Sequence, residues 1–371
     1  MYLEQDVVRI AKRENNTKRN YLVINKLQGK HIPVQPSEAF KMFRELAVQL
    51  KDEYANERML LVGFAETATA IGAAIAGELG CLYMQTTREV IPNVEYLFFS
   101  EEHSHATEQK LVKNDIDRVC NTIDRIIFIE DEVTTGKTIL NIINILEKKY
   151  PQIKNYSVAS LLNGMNEECL KKYSDRGIKL HYLVKTNHDR YVEIADGYMC
   201  DGEYICSTNT DDMTIEGVDI IESSSYLNSR RIVDMHEYID CNLELWKQIQ
   251  DNIDIKDYKN ILVIGTEEFM YPALYVANKI EEMGYDVRCH STTRSPISVS
   301  KDEAYPLHKR YELRSFYDSN RTTYIYDINR YDYVIIITDA NEGYEEGLYS
   351  LVNVLRENGN DNIAMIRWCK E

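Results

Sequence analysis

Residues 126–138 read IIFIEDEVTTGKT, and this segment limits the possible folds of the chain most tightly. Four apolar residues, Ile126–Ile129, suit a strand buried inside a parallel sheet. Two carboxylates, Glu130 and Asp131, close the strand, and Glu132 and Val133 form a spacer. The Thr134–Thr138 turn then opens the helical run ILNIINILEKKY. A buried strand fixes its terminal carboxylates at the carboxyl edge of the sheet, where ligands of open α/β sheets bind. The turn offers successive backbone N–H groups and hydroxyls, the helix N-terminus adds positive potential, and Gly136 permits close approach of a phosphate. Two adjacent carboxylates suit the vicinal hydroxyls of a ribose rather than a phosphate. A nucleotide P-loop also ends in Gly-Lys-Thr, but it needs glycine five residues before Gly136, where Asp131 stands. A purely structural strand–turn–helix is the remaining reading of the segment alone.

The flanking sequence extends the pattern. MLLVGF from Met59 predicts a strand, AETA a turn and TAIGAAIAGELG a helix. CLYMQTT predicts a second strand, followed by a polar stretch from Arg88 to Glu108 that contains EEHSHATE. After the signature comes the strand NYSVASLL. Strands separated by helices imply an α/β fold with a doubly wound parallel sheet. A polar region from about Asn163 to Asn228 is expected to complete or cover this domain, and DMHEYIDCNLELWKQI to form a connecting helix. Strand–helix logic restarts at Lys259. The expected division is therefore a first domain over 1–230 with an N-terminal hood, a linker over 231–258, and a smaller Rossmann-like α/β domain over 259–371.

The restart repeats the first half. Gly63 matches Gly265, Glu66 matches Glu268, Gly80 matches Gly284, and Thr87-Arg88 matches Thr293-Arg294, with the offset drifting from 202 to 206. Asp131 matches Asp339 at offset 208. Any two Rossmann-like units share strand–Gly–helix spacing; the repeated Thr-Thr-Arg favours duplication. The second copy has TDANEG where the first has EDEVTTGKT. It therefore lacks the second carboxylate and the Thr-rich turn, and it is not expected to bind the same ligand in the same way.

Bulk properties narrow the setting. A length of 371 residues suits two or three domains. A net charge of −17 disfavours a nucleic-acid polymer as partner, because such binding runs on clustered Lys and Arg. The N-terminus is charged and no run of 18 apolar residues occurs, so neither a signal peptide nor a membrane span is expected, and the cytoplasm is the expected compartment. Eight cysteines without a repeated CxxC read as reduced thiols rather than a zinc site.

The signature resembles that of the type I phosphoribosyltransferases, of which the orotate enzymes are one branch. GFAETATAIG is similar to that family's pyrophosphate-binding loop, and YLFFSEEHSHATEQ occupies the place of its mobile loop. GKHIPV, GFAETATA, EEHSHATE and STTRSP together resemble a bacterial family in which an orotate-type enzyme is joined to a C-terminal TRSP domain, associated with tellurium-resistance and stress gene clusters. The resemblance implies a homodimer that transfers ribose 5-phosphate from phosphoribosyl pyrophosphate (PRPP) to a base-like or heterocyclic acceptor, releasing pyrophosphate, with Mg²⁺ held by PRPP, Glu130 and Asp131. It implies PRPP binding by Glu130, Asp131, Val133, Thr134, Thr135, Gly136, Lys137 and Thr138, and by Ala65, Glu66, Thr67 and Ala68. It makes Glu130, Asp131, His103 and His105 the candidate catalytic residues. Two departures stand out: Glu130 replaces the commoner Asp, and Glu101 and Glu102 give the mobile loop acid where orotate enzymes carry Lys and Arg.

Smaller signals each have a plain alternative. His103 and His105 suit a metal pair, a pyrophosphate contact or an ordinary surface loop. Lys30 and His31 reach an acceptor from the hood, or belong to an edge strand stopped by Pro33. Arg88 approaches phosphate, or forms a structural ion pair. Gly265, Glu268, Arg294, Ser295 and Asp339, with Glu267, mark a possible second site at strand ends; a structural or regulatory role fits that domain equally. A PRPP-binding regulator without catalysis, and a bifunctional enzyme whose C-terminal domain acts on the ribosylated product, are the alternatives to a transferase.

Overall fold

The computed structural model describes residues 2–14, 19–99, 109–208, 215–341 and 345–369. Contacts divide the chain into two units. The first comprises Met1–Glu4, Phe40–His188 and Asn228–Ile239; the second comprises Gln5–Ala39, Asp189–Leu227 and Asp240–Glu371. The units thus interleave along the chain, where sequence order had suggested a cut near residue 230. The chain passes from one to the other within the Met235–Asn252 helix, part of which was expected as the connecting helix.

The first unit is built on a six-stranded sheet ordered Val233–Asp234, Leu82–Gln85, Met59–Gly63, Arg125–Val133, Asn155–Asn163, Lys179–Lys185. Every neighbouring pair is parallel except the one made by the short first strand. Helices Thr69–Leu79, Lys137–Lys149 and Glu167–Asp175 lie between its consecutive strands, as parallel pairing requires. Ile126, Ile127, Phe128 and Ile129 are fully buried in the sheet. Each contributes about 1.5–3 kcal/mol by leaving water. Sliding Glu130 into that apolar stretch would bury a carboxylate at far greater cost, so the register of the strand is fixed by where the carboxylates begin.

The second unit has a five-stranded, all-parallel sheet ordered Val218–Ser223, Ile363–Trp368, Tyr333–Thr338, Asn260–Gly265, Asp286–Ser291. Four of these strands follow the order of Asn155–Asn163, Arg125–Val133, Met59–Gly63 and Leu82–Gln85 in the first unit, as the repeat predicts. The fifth place differs in origin. Lys179–Lys185 follows its neighbour in the chain, whereas Val218–Ser223 precedes the whole second sheet. Asp189–Leu227, expected to complete the first domain, instead supplies this strand to the second unit. Gln5–Ala39, expected as a hood, also packs with the second unit as the antiparallel hairpin Val8–Lys12 and Tyr21–Asn25. Among the described residues no helix is long and apolar enough to cross a membrane. All eight cysteines are free.

Candidate active site

From Met59–Gly63 the first sheet grows to one side with Leu82–Gln85, then to the other with Arg125–Val133. Its topological switch point therefore lies between the carboxyl ends of Met59–Gly63 and Arg125–Val133, the place where such sheets hold ligands. Gly63 pairs in register with Ile129, which sets the 65–68 loop beside Glu130 and Asp131. The Thr67 hydroxyl donates to Asp131 Oδ1 at 2.9 Å and joins the two segments directly. A closed ring of bonds shapes the loop. Ala65 N–H donates to Thr86 Oγ1 at 2.8 Å, the Thr86 hydroxyl donates to Gln109 Oε1 at 2.7 Å, and the Gln109 amide returns to the Ala65 carbonyl. Gly63 is required by close approach, since a Cβ there would lie 2.6 Å from the Tyr83 hydroxyl and 3.0 Å from the Ala68 carbonyl.

The strand runs to Val133, three residues beyond Glu130, so Glu130, Asp131 and Glu132 alternate across its edge. Asp131 turns to Thr67, while Glu132 meets His188, with Oε1 3.2 Å from Nε2. His188 Nε2 also lies 2.9 Å from Thr186 Oγ1, beyond the end of Lys179–Lys185. Burial pushes the Asp131 carboxyl above the usual carboxylate range, the Glu132 charge adds to this, and the Thr67 bond opposes both. A cation bound there would favour the ionised form again. The sequence alone does not show the Glu132–His188 pair: Glu132 stands in the spacer of the motif, and His188 stands in no motif.

Gly136 is the N-cap of the Lys137–Lys149 helix, with φ 69° and ψ 7°. That left-handed conformation favours glycine. The Tyr173 hydroxyl donates to the Gly136 carbonyl at 2.7 Å, and a Cβ on Gly136 would run into that hydroxyl and the Met165 methyl. Val133 is buried, Lys137 is exposed, and Thr134, Thr135 and Thr138 are partly buried. The first turn of the helix holds no acidic residue, so its N-terminus is electrostatically suited to an anion. Glu101–Thr107, with His103 and His105, lie outside the described residues.

In the second unit the switch point falls between Gly265 and Thr338-Asp339. Arg294 donates to Glu267 Oε2 at 2.6 Å and to Glu268 Oε1 at 3.1 Å. Arg321 reaches the same Glu267 oxygen at 2.8 Å, and the Ser315 hydroxyl bonds Oε1. Tyr317 and Tyr226 donate to the two oxygens of Asp339 at 2.7 and 2.6 Å. The structure thus brings Glu267, Glu268 and Arg294 together; Ser295 follows in the same turn, with its N–H on Thr293 Oγ1. Lys30, expected to reach an acceptor, is instead fully buried in this unit. Its ammonium donates to Glu267 O at 2.7 Å, Thr292 O at 2.8 Å and Ser291 Oγ at 3.2 Å. His31 is buried beside Tyr326. Ser315, Tyr317, Arg321 and Tyr226 were not foreseen, because none repeats a residue of the first half.

Residues 7–188 match the family model of phosphoribosyl transferases, and residues 237–355 match the TRSP domain that lies C-terminal to it. An orotate phosphoribosyltransferase of Thermoplasma volcanium is 29% identical over 140 residues, covering 37% of this chain and 80% of that protein. Among solved structures, adenine phosphoribosyltransferase from Giardia lamblia complexed with 9-deazaadenine aligns over 50% of this chain and 96% of its own, at 14% identity and a TM-score of 0.36. The enzyme from Rhodothermus marinus aligns over 49% and 96%, at 15% identity and a TM-score of 0.36. The match over residues 7–188 defines a phosphoribosyltransferase domain, a class of pentosyltransferase. Within that class, the chain joins a phosphoribosyl transferase domain to a C-terminal TRSP domain.

Proposed function

We propose that the first unit transfers ribose 5-phosphate from PRPP to a base-like or heterocyclic acceptor and releases pyrophosphate. The observation that carries this reading is the Thr67–Asp131 bond, which joins the 65–68 loop to the carboxylate edge at the switch point. In this reading the Thr134–Thr138 turn and the helix behind it bind the 5′-phosphate through backbone N–H groups. Glu130 and Asp131 accept hydrogen bonds from the ribose hydroxyls. As the bond from C1 to the pyrophosphate oxygen breaks, positive charge grows on the ribose, and the two carboxylates favour it electrostatically. Ala65–Ala68 hold the leaving pyrophosphate.

Hard carboxylate oxygens fit Mg²⁺, and Glu130 and Asp131 would hold it. Among the described residues no set of three His, Cys, Asp or Glu is placed to hold a metal alone. That fits an ion arriving with phosphate oxygens, where it would neutralise charge on the departing pyrophosphate. Pyrophosphate release from PRPP, followed with and without Mg²⁺ across a panel of bases and carboxylated heterocycles, tests the proposal. Release that needs both an acceptor and Mg²⁺ supports it; PRPP binding without release under any acceptor favours a regulator instead.

A further inference from the structure

The two clefts share detail beyond strand order. Ala65 N–H donates to Thr86 Oγ1 at 2.8 Å, and Glu267 N–H donates to Thr292 Oγ1 at 3.0 Å. Thr86 N–H reaches Gly63 O at 2.9 Å, and Thr292 N–H reaches Gly265 O at 3.1 Å. The Ala65 carbonyl is met by the Gln109 amide, and the Glu267 carbonyl by the Lys30 ammonium. An antiparallel hairpin follows in each unit. Phe99 pairs with Gln109 in one, and Arg314 with Thr322 in the other.

We propose that the second cleft is a copy of the first that the chain has filled with its own groups, with the Glu267 carboxylate as a built-in anion. Glu267 stands at the place of Ala65, is fully buried, and has φ 46°. Strain of that kind in a buried acidic residue persists only where its surroundings hold it. Here two guanidiniums and a hydroxyl converge on its carboxylate. Such convergence is the ordinary way a protein binds an oxyanion. Arg321 and Ser315 both come from the 315–321 connection between strands Lys309–Arg314 and Thr322–Tyr326, so that segment closes on an anion the protein itself supplies. Asp339, at the place of Asp131, is taken in the same way by Tyr317 from that connection and by Tyr226. The helix beyond it opens with Glu345 and Glu346, whose charge opposes a phosphate at its N-terminus. The chain therefore takes up PRPP or pyrophosphate in its first unit alone. That consequence rests on the transferase reading; the filled anion place does not.

Glu267→Gly is the direct test in the full chain, because glycine suits the left-handed backbone and removes only the side chain. We expect E267G to melt several degrees below the wild type, and inorganic pyrophosphate or sulfate to recover at least half of that loss. The wild type should gain less from the same anions. An unchanged melting temperature, or a lowered one that neither anion raises, overturns the proposal. Should E267G fail to fold even with pyrophosphate, E267Q decides. It keeps the shape without the charge, and wild-type stability in E267Q overturns the proposal, whereas a lower melting temperature supports it. Calorimetry of the wild type with Mg–PRPP separates the two readings. Two bound equivalents contradict the filled cleft, whereas none contradicts the transferase reading only.

Discussion

Asp131 sits under two opposed demands. Its burial and the neighbouring Glu132 charge raise its proton affinity, yet the proposed chemistry uses it ionised. A carboxylate whose folded-state pKa lies above the unfolded value costs stability once ionised. The cost is absent at low pH, where the group is protonated folded and unfolded, and it grows as pH rises from about 3.9 through the folded-state value. Asp131→Asn is therefore expected to melt above the wild type at pH 7, with the gap closing as the pH falls to about 4. The same substitution is expected to lower turnover by about 10²–10³ and PRPP affinity much less, because the charge matters most when positive charge develops on the ribose. Thermal melts at both pH values and steady-state kinetics check the two halves. A destabilised variant at pH 7 would remove the electrostatic account of the site. The type of residue at position 131 was legible from its place at the end of an apolar strand. Its altered proton affinity was not, because that depends on how deeply the edge is buried.

The strand–turn–helix around Gly136 shows the same division at the level of an element. IIFIEDEVTTGKT was legible as strand, acidic edge and turn, because burial and turn chemistry are written locally. Why Gly136 must be glycine was only half legible. Close approach of a phosphate is one reason; the other is the positive φ and the Tyr173 ring packed against it, from a helix with no link to the motif. Gly136→Ala should thus reduce stability as well as PRPP affinity, by about 1–2 kcal/mol for the left-handed conformation before any clash. Urea denaturation checks it; an alanine variant as stable as the wild type would show that the turn can relax. The repeat was legible through Gly63, Gly265 and the two Thr-Thr-Arg segments, and the strand orders agree with it. The filled second cleft was not, because EEHSHAT at 101–107 and SFYDSNR at 315–321 share no residue at matched positions.

Across the whole molecule, the interleaving of the two units was the least legible feature. A hairpin such as Val8–Lys12 with Tyr21–Asn25 has the same alternating pattern whichever sheet it packs on, and sequence order alone assigned it to the first domain. Five residues beyond it, Lys30 bridges Glu267 and Thr292 across 237 and 262 positions of chain. Lys30→Met would leave the buried Glu267 carbonyl without this donor, at about 1–3 kcal/mol, while the Thr292 carbonyl keeps the Ser291 hydroxyl. The expected outcome is earlier melting of the second unit, read as faster hydrogen exchange along Asn260–Gly265 and Asp286–Ser291. Unchanged exchange there would mean that Lys30 is incidental to the second cleft.

The central claim is that Ile126–Thr138 and Ala65–Ala68 form one PRPP site, and calorimetric titration of the full chain with PRPP measures it most directly. The account predicts a single equivalent bound in the presence of Mg²⁺, much weaker binding without the metal, and loss of affinity in Gly136→Ala. Binding that ignores Mg²⁺ and survives unchanged in Gly136→Ala, or no binding at all by the folded wild-type chain, would contradict it.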